Sequence, residues 1–335
     1  MTAVNTTLVA VFALAVLFDY INGFHDTANA IATSVSTRAL RPQYALALSA
    51  VANFAGALTG TAVAQTVGQG IVSAPPGHGG QVLVAAALIG AITWNLLTWR
   101  LGLPSSSSHA LIGGLLGAAV AAYGLQAVHV DALLTKVLLP LVSSPLIGLA
   151  GAFALMVVLL NVVRHARPKI VNDRFRRIQL VSATFMAFSH GSNDAQKTMG
   201  IMTLALVTAG LLPSFEVPIW VILLAAAAIS MGTAAGGWRI IKTMGQRVVK
   251  LDPIHGFAAE TAAATVILTA SHFGMPVSTT HVVSSAIMGA GSSDRFAAVH
   301  WGLAGDIVRA WILTIPASGL VAAAAWLVLR LLLGP

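Results

Sequence analysis

The sequence predicts an all-α polytopic membrane protein. It reads as two inverted-topology repeats of about five membrane segments each, with broken or re-entrant helices at the midplane. Three observations predict this. Hydrophobic residues make up 57% of the chain, charged residues 8%, and the mean hydropathy is +0.86. A soluble domain carries about 25% charged residues, so too few polar residues exist to cover a large soluble enzyme. A polar pentapeptide occurs twice, NGFHD at 22–26 and HGSND at 190–194, at an offset of 168. A second pair of landmarks, LPSSSSHA at 103–110 and MPVSTTHV at 275–282, repeats at an offset of 172. Two matched landmarks at nearly constant offset indicate a tandem duplication.

A bilayer-spanning helix needs roughly 20 mostly apolar residues. In the first half the apolar segments are 4–24, 43–70, 82–100, 102–124 and 132–163. In the second half they are 179–210, 216–238, 254–272, 273–293 and 300–331. The N-terminus lacks a basic region and carries Asp19, so it reads as a first membrane segment rather than a cleaved signal peptide. The clearest break is RHARPKIVNDRFRR at 164–177, with six Lys/Arg and one Asp. Residues 1–163 are therefore expected as the first membrane repeat, 164–178 as a basic cytoplasmic linker, and 179–335 as the second, inverted repeat.

The charges orient the chain. Lys and Arg stay on the cytoplasmic side, which places the central loop inside and, with five segments per half, both termini outside. Arg38, Arg41, Arg100, Arg239, Lys242, Arg247, Lys250 and Arg295 then all fall inside, and of 18 basic residues only Lys136 and Arg330 fall clearly outside. The net charge of +8 is thus a topology signal, and nucleic-acid binding is not expected. Cys is absent, which excludes disulfides and thiolate chemistry. An odd number of segments inverts the second copy. Inverted repeats are common among secondary transporters, with the site at the midplane between the halves.

Asp26 and Asp194 close the two pentapeptides inside apolar sequence. A carboxylate at mid-membrane costs about 2.5–3.5 kcal/mol on insertion scales and marks an ion or substrate path. Asn22, Asn29 and Asn193 add carbonyl oxygens, which with carboxylates suit hard cations or protons. The serine runs supply the opposite chemistry. Pro104 should restart a helix within the membrane, leaving first-turn N–H groups aimed at the dipole-positive end, a favourable place for an anion. Ser106, Ser107 and Ser108 add hydroxyl donors, and Ser278, Thr279 and Thr280 do so from the other repeat. The alternative for these hydroxyls is N-capping. His109 and His281 follow the two starts and are candidates for a proton relay, for contact with the anion, or for plain packing. His25 and His190 are similarly open. Lys197, three residues after Asp194, is either its ion-pair partner or a fixed cation beside an anion, and Glu260 is a further intramembrane carboxylate. No resident metal is expected. GALTG, GGLLG and GTAAG present small residues for close helix packing, within the chain or at a dimer interface.

These residues together resemble the inorganic phosphate transporter (PiT) family. The matching stretches are FDYINGFHDTANAIATSVSTRAL, LPSSSSHALIGG, FSHGSNDAQKTMGIM and GFAAETAAATVILTASHFGMPVSTTHVVSSAIMGAG. They span both halves. The resemblance implies symport of inorganic phosphate into the cell across the cytoplasmic membrane, by a low-affinity, proton-coupled carrier of bacterial type that forms a homodimer. It implies phosphate at Ser106–Ser108 and Ser278–Thr280, coupling at Asp26 and Asp194, and, in some members, carriage of a neutral metal–phosphate complex. A few relatives move sulfate instead. One departure bears on coupling. Sodium-coupled eukaryotic relatives carry Glu 27 residues after the first motif Asp, where this chain has Asn53, and they carry Asn where this chain has Lys197, the repeat partner of Asn29. Glu260 is retained. Losing a carboxylate and gaining an ammonium both disfavour sodium, so protons are the expected coupling ion and no cofactor is expected. Sodium-coupled phosphate symport and sulfate transport are the alternatives within the family. A channel has no need of paired oxyanion clamps. A membrane enzyme such as a lipid phosphatase would need an acid–base set beyond His109 and His281, so no enzyme is expected.

Overall fold

A computed structural model describes residues 6–333, and the elements are helical. The expected segment beginning at residue 4, and both chain ends, lie partly outside the described residues. The first half comprises α1 (Thr6–Ser36), α2 (Pro42–Ala57), α3 (Ala62–Gln69), α4 (His78–Leu101), α5 (Ser107–Tyr123) and α6 (Val130–Val163). The second comprises α7 (Pro168–Thr208), α8 (Ile219–Ala235), α9 (Trp238–Arg247), α10 (Pro253–His272), α11 (Thr279–Ser292) and α12 (Trp301–Leu333). The order repeats element for element, with α1 matching α7, the α2–α3 pair matching α8–α9, α4–α5 matching α10–α11, and α6 matching α12.

Four helices are long and apolar enough to cross a membrane: α1, α4, α6 and α12. The α2–α3 pair is bent by 74° and the α8–α9 pair by 60°, so at most six spans arise by length and composition. The bent pairs are the broken helices that the sequence reading expects among its membrane segments. The helices α5 and α11 have 17 and 14 residues, which is about 26 and 21 Å at 1.5 Å per residue. They return along the helix before them. Gly114 lies against the backbone of Ala87 and Gly79 against the Tyr123 hydroxyl, so α4 and α5 form an antiparallel hairpin along their length. α10 packs on α11 likewise.

Two boundaries also differ from expectation. The pentapeptide NGFHD does not end the first helix. α1 runs unbroken to Ser36, because its polar side chains point inward and find partners, and Thr27 donates back to the Gly23 carbonyl at 2.7 Å. The stretch 164–178 is not a linker either, since only 164–167 lies between α6 and α7. Pro168 starts α7 at a position where its missing N–H costs nothing. Phe175, Gln179, Ser182 and Met186 form the buried stripe, while Arg174, Arg176 and Arg177 face outward.

The halves are interleaved. The broken-helix arm α8 of one half packs on the long α1 of the other, and α2 packs on α7. Each crossing is built on two glycines. A Cβ on Gly23 would stand 2.2 Å from the Ile229 carbonyl oxygen, and one on Gly232 would stand 2.1 Å from that of Tyr20. At the other crossing a Cβ on Gly191 would stand 2.1 Å from the Asn53 carbonyl oxygen, and one on Gly56 would stand 2.0 Å from that of Phe188. The hairpin α4–α5 leans on α12, and α10–α11 leans on α6. Gly113 and Gly117 meet Ile315, Ser318 and Gly319 on α12. The three small-residue motifs therefore serve contacts inside the chain. Two apolar cores flank a polar layer. On α1 the changeover falls between Phe18 and Ala28, and on α7 between Ala187 and Ala195, the levels of Asp26 and Asp194.

Candidate functional site

The two hairpin tips carry the serine and threonine runs to this polar layer. Leu101 ends α4, Gly102 takes a left-handed conformation at φ 68°, and Ser106 caps α5. In the second half Gly274, at φ 66°, follows α10 and Ser278 caps α11. The left-handed turn is needed because the chain reverses within five residues, and glycine takes it without Cβ strain. Pro104 and Pro276 lie in the turns, as the restart of a helix at each motif requires.

At the first carboxylate, Asp26 Oδ2 accepts from Ser107 Oγ at 2.6 Å, and Oδ1 accepts from Thr280 Oγ1 at 3.2 Å. Ser107 belongs to its own repeat and Thr280 to the other. His25 Nδ1 lies 2.7 Å from Asp26 Oδ1, and its Nε2 lies 3.1 Å from Thr98 Oγ1 at the base of the first tip. At the second carboxylate, Asp194 Oδ2 accepts from Thr279 Oγ1 at 2.9 Å. Lys197 binds Asp194 Oδ1 and Ser108 Oγ, and donates to the Val277 carbonyl at 2.9 Å. Lys197 therefore ties its own carboxylate to both tips. His190 Nε2 lies 3.1 Å from Asp194 Oδ2.

The asparagines hold the frame. Asn29 donates to Thr279 and Thr280 at 3.3 and 3.0 Å. Asn22 Oδ1 accepts from Ser107 at 2.6 Å. Asn193 donates to Ser271 Oγ at 2.8 Å and to the Met275 carbonyl at 3.2 Å, pinning the second turn. Asn29 Oδ1 and Asn193 Oδ1 are buried without a hydrogen-bond partner among the described residues.

Ser106 and Ser278 do something else. Their oxygens accept the His109 and His281 amides at 3.1 and 3.2 Å. They are helix caps, and the hydroxyls that reach the carboxylates are Ser107 in the first tip and Thr279 and Thr280 in the second, while Ser108 Oγ meets Lys197 and the Val277 carbonyl. His109 and His281 meet each other, ring centroids 4.6 Å apart, and His281 stacks on Trp311 at 3.9 Å. Neither ring hydrogen-bonds a site carboxylate.

Glu260 stands apart. It accepts from Thr33 at 2.5 Å, Gln179 at 3.0 Å and Ser182 at 2.5 Å, two helical turns beyond Asp26 along α1. Thr37 donates to Gln179 and lines a cavity of about 330 Å³ with Arg38, Arg176 and Lys250. Asn53 donates to Thr233 at 2.8 Å and faces His190 Nδ1 at 3.1 Å, so it touches Asp194 only through that histidine. One ligand atom each from Asp26, His190 and Asp194 lie within 4.8 Å of one another. The sequence left His25 and His190 open, and missed Thr98 and Asp19. His190 had a usable signal, since it lies four residues before Asp194 and so on the same helix face.

The chain as a whole has counterparts among known proteins. Residues 22–322 match the model of the phosphate transporter family. A probable low-affinity inorganic phosphate transporter of Bacillus subtilis (strain 168) is 45% identical over 328 residues, 98% of each chain. One of Rhizobium meliloti (strain 1021) is 49% identical over 318 residues, 94% of each chain. A solved structure described as "The sodium-dependent phosphate transporter" superposes with a TM-score of 0.89 at 26% identity, over 98% of this chain and 100% of that one. With a family match across most of its length and relatives this similar end to end, the chain belongs to the phosphate transporter family.

Proposed function

We propose that the protein imports inorganic phosphate across the cytoplasmic membrane by proton symport with alternating access. One observation carries this reading: hydroxyls from both hairpin tips donate to the two site carboxylates. Phosphate oxygens need the same O–H donors. An ionised Asp26 holds Ser107 and Thr280 to itself, and charge-assisted bonds of this kind are the stronger sort. Protonation of Asp26 removes that charge and frees the donors for the anion. Proton and phosphate binding then favour one another, and the coupling is reciprocal by linkage. Phosphate carrying a proton also donates a bond, which a carboxylate at Asp194 or Asp26 accepts. Sulfate has no such proton at neutral pH.

Each carboxylate is bound by a hydroxyl of the first tip, the second, or both, so the site closes where the halves meet. Rocking of one hairpin and its supporting helices against the other exposes it to either side. The central basic segment lies on the cytoplasmic side in this reading. The Thr37–Gln179–Glu260 chain and its Arg/Lys-lined cavity then form the inward route.

Sodium coupling is the second reading, favoured by the description of the solved neighbour. Lys197 opposes it here. Its ammonium already sits on Asp194, and Asn53 supplies no second carboxylate. A divalent cation travelling with phosphate would face Asp26, His190 and Asp194, with the same ammonium beside it.

Labelled phosphate uptake into proteoliposomes tests the proposal, driven by an imposed pH gradient without sodium and with excess sulfate present. Uptake should follow the gradient and be indifferent to sulfate. Uptake that requires added sodium overturns proton coupling, and competition by sulfate overturns the selectivity.

A further inference from the structure

Asp19 is a fully buried carboxylate that the site described above does not use. Its exposure is 0%, and neither oxygen has a hydrogen-bond partner among the described residues. Thr198 on α7 and Asn22 on α1 are the polar side chains that act on it, and the Thr198 hydroxyl has no other partner among the described residues. The charged groups acting on Asp19 are Asp194 and Lys197, both on α7. α8, crossing α1 at Gly23, has no ionisable residue. α4 runs beside α1, from His78 at Thr7 to Thr98 at His25, and its ionisable residues His78 and Arg100 lie at its ends. α5 brings His109, at the tip, and Tyr123, at its far end.

The position on α1 is equally telling. Asp19, Asp26 and Thr33 follow at seven-residue steps, and seven residues bring a helix back to nearly the same face about 10 Å further on. Thr33 carries Glu260. Three carboxylates thus lie along one face of α1: Asp19 on the N-terminal side of the anion layer, Asp26 in it, and Glu260 beyond it. The outer two lack repeat partners. At the offset of the pentapeptides Asp19 corresponds to Ala187, and at the offset of the hairpin tips Glu260 corresponds to Leu88. The anion site obeys the duplication and these two groups do not, as a path with a direction requires.

We propose that Asp19 is the proton-loading acid of the symport, a role that rests on the proton-coupled reading above. A buried carboxylate without donors is a costly anion, whereas the neutral acid needs no donor and carries one of its own. Asp19 takes a proton from the solution on the N-terminal side of the anion layer, forming a carboxyl O–H bond. It stays neutral while phosphate binds near it. It returns to carboxylate when that proton leaves toward the opposite side, and the ionised form repels the anion until the site is reloaded.

The test compares wild type, Asp19→Asn and Asp19→Glu in proteoliposomes by two measurements. The first is accumulation of labelled phosphate under a pH gradient, and the second is phosphate exchange at equal pH on both sides. Asp19→Asn is permanently neutral. It should exchange phosphate within about twofold of wild type, with a flattened pH profile, and should lose gradient-driven accumulation by ~10-fold or more. Asp19→Glu should restore accumulation and the pH profile. Asp19→Asn that accumulates phosphate with the wild-type pH profile overturns the proposal. So does a variant with the wild-type melting temperature that has lost exchange, since Asp19 would then belong to phosphate binding. Wild type that ignores the pH gradient and requires sodium overturns the symport reading together with the proton role. That result is distinct from a coupled wild type with an equally coupled Asp19→Asn, which overturns the Asp19 assignment alone.

Discussion

Asp26 and Asp194 are repeat partners at the same level of matching helices, yet their surroundings differ. Asp26 is held by Ser107, Thr280 and His25, with no fixed cation on it. Asp194 carries the Lys197 ammonium, with Thr279 and His190 beside it. The source of the difference is one position, Lys197 in the second repeat against Asn29 in the first. Duplication made two equivalent carboxylates, and that substitution divided their work. The second carboxylate carries an ammonium that ties both tips together, and the first carries none.

The sharpest way to break this comparison is to neutralise each carboxylate in turn. Asp194→Asn leaves a buried ammonium unpaired, and losing one partner of a buried pair costs about 3–5 kcal/mol. The variant should melt far below wild type in detergent, and Asp194→Asn combined with Lys197→Asn should recover most of the loss. Asp26→Asn strands no opposite charge. It should keep most of its stability while gradient-driven phosphate uptake falls ~10-fold or more, because a side chain fixed in the neutral form cannot carry the coupled proton. Equal melting shifts for the two single variants would mean that the halves are not divided as described.

Lys197→Asn makes the halves alike. If the ammonium stands in for a bound cation, proton-driven uptake should fall by about tenfold and added sodium should stimulate what remains. A Lys197→Asn protein with full proton-driven uptake and no sodium response would remove the distinction between the halves.

Much of this site was legible in the chain because it is duplicated. Asp26 with Asp194, and Ser107–Ser108 with Thr279–Thr280, stand out by recurring at a near-constant offset. The helix restarts follow from Pro104 and Pro276. What the sequence hid is what breaks the repeat. Asp19 has no partner to advertise it, and Glu260, legible as an intramembrane carboxylate, lies two turns from Asp26 along α1, a separation that only the helix geometry reveals. Which segments are short was not legible, because helices α5 and α11 are buried among other helices and so need not have the length of a lipid-facing span. The basic stretch 164–178 looks like a linker because its charges are many, yet its Phe175 is buried and begins a helical stripe that continues through Gln179, Ser182 and Met186.

The interleaving of the halves extends the comparison from the site to its scaffold. At Gly23 and Gly191 the two crossings are near copies, so their energetics should match. Alanine at either would force a Cβ to within 2.2 or 2.1 Å of a carbonyl oxygen, and overpacking of this kind costs about 1–3 kcal/mol. Melting temperatures of Gly23→Ala and Gly191→Ala should fall by similar amounts. Gly60→Ala is the control, because its nearest neighbour is the flexible end of Gln196 at 3.5 Å. A drop at one crossing alone would show that the two arms are not equivalently clamped.

The smallest effect separates the two uses of the hydroxyls within a single tip. Ser106 and Ser278 cap their helices through the side-chain oxygen, whereas Ser107 and Thr279 donate to the carboxylates. Replacing a capping serine by alanine costs about 1 kcal/mol, so Ser106→Ala and Ser278→Ala should lower the melting temperature slightly and alike. Uptake should then change by no more than about fivefold, the factor that 1 kcal/mol represents. Ser107→Ala and Thr279→Ala should do the reverse, with melting little changed and uptake reduced well beyond that factor. If Ser106→Ala abolishes uptake without a melting shift, its hydroxyl contacts phosphate directly. The tip then opens during the cycle into an arrangement in which the caps, too, become donors to the anion.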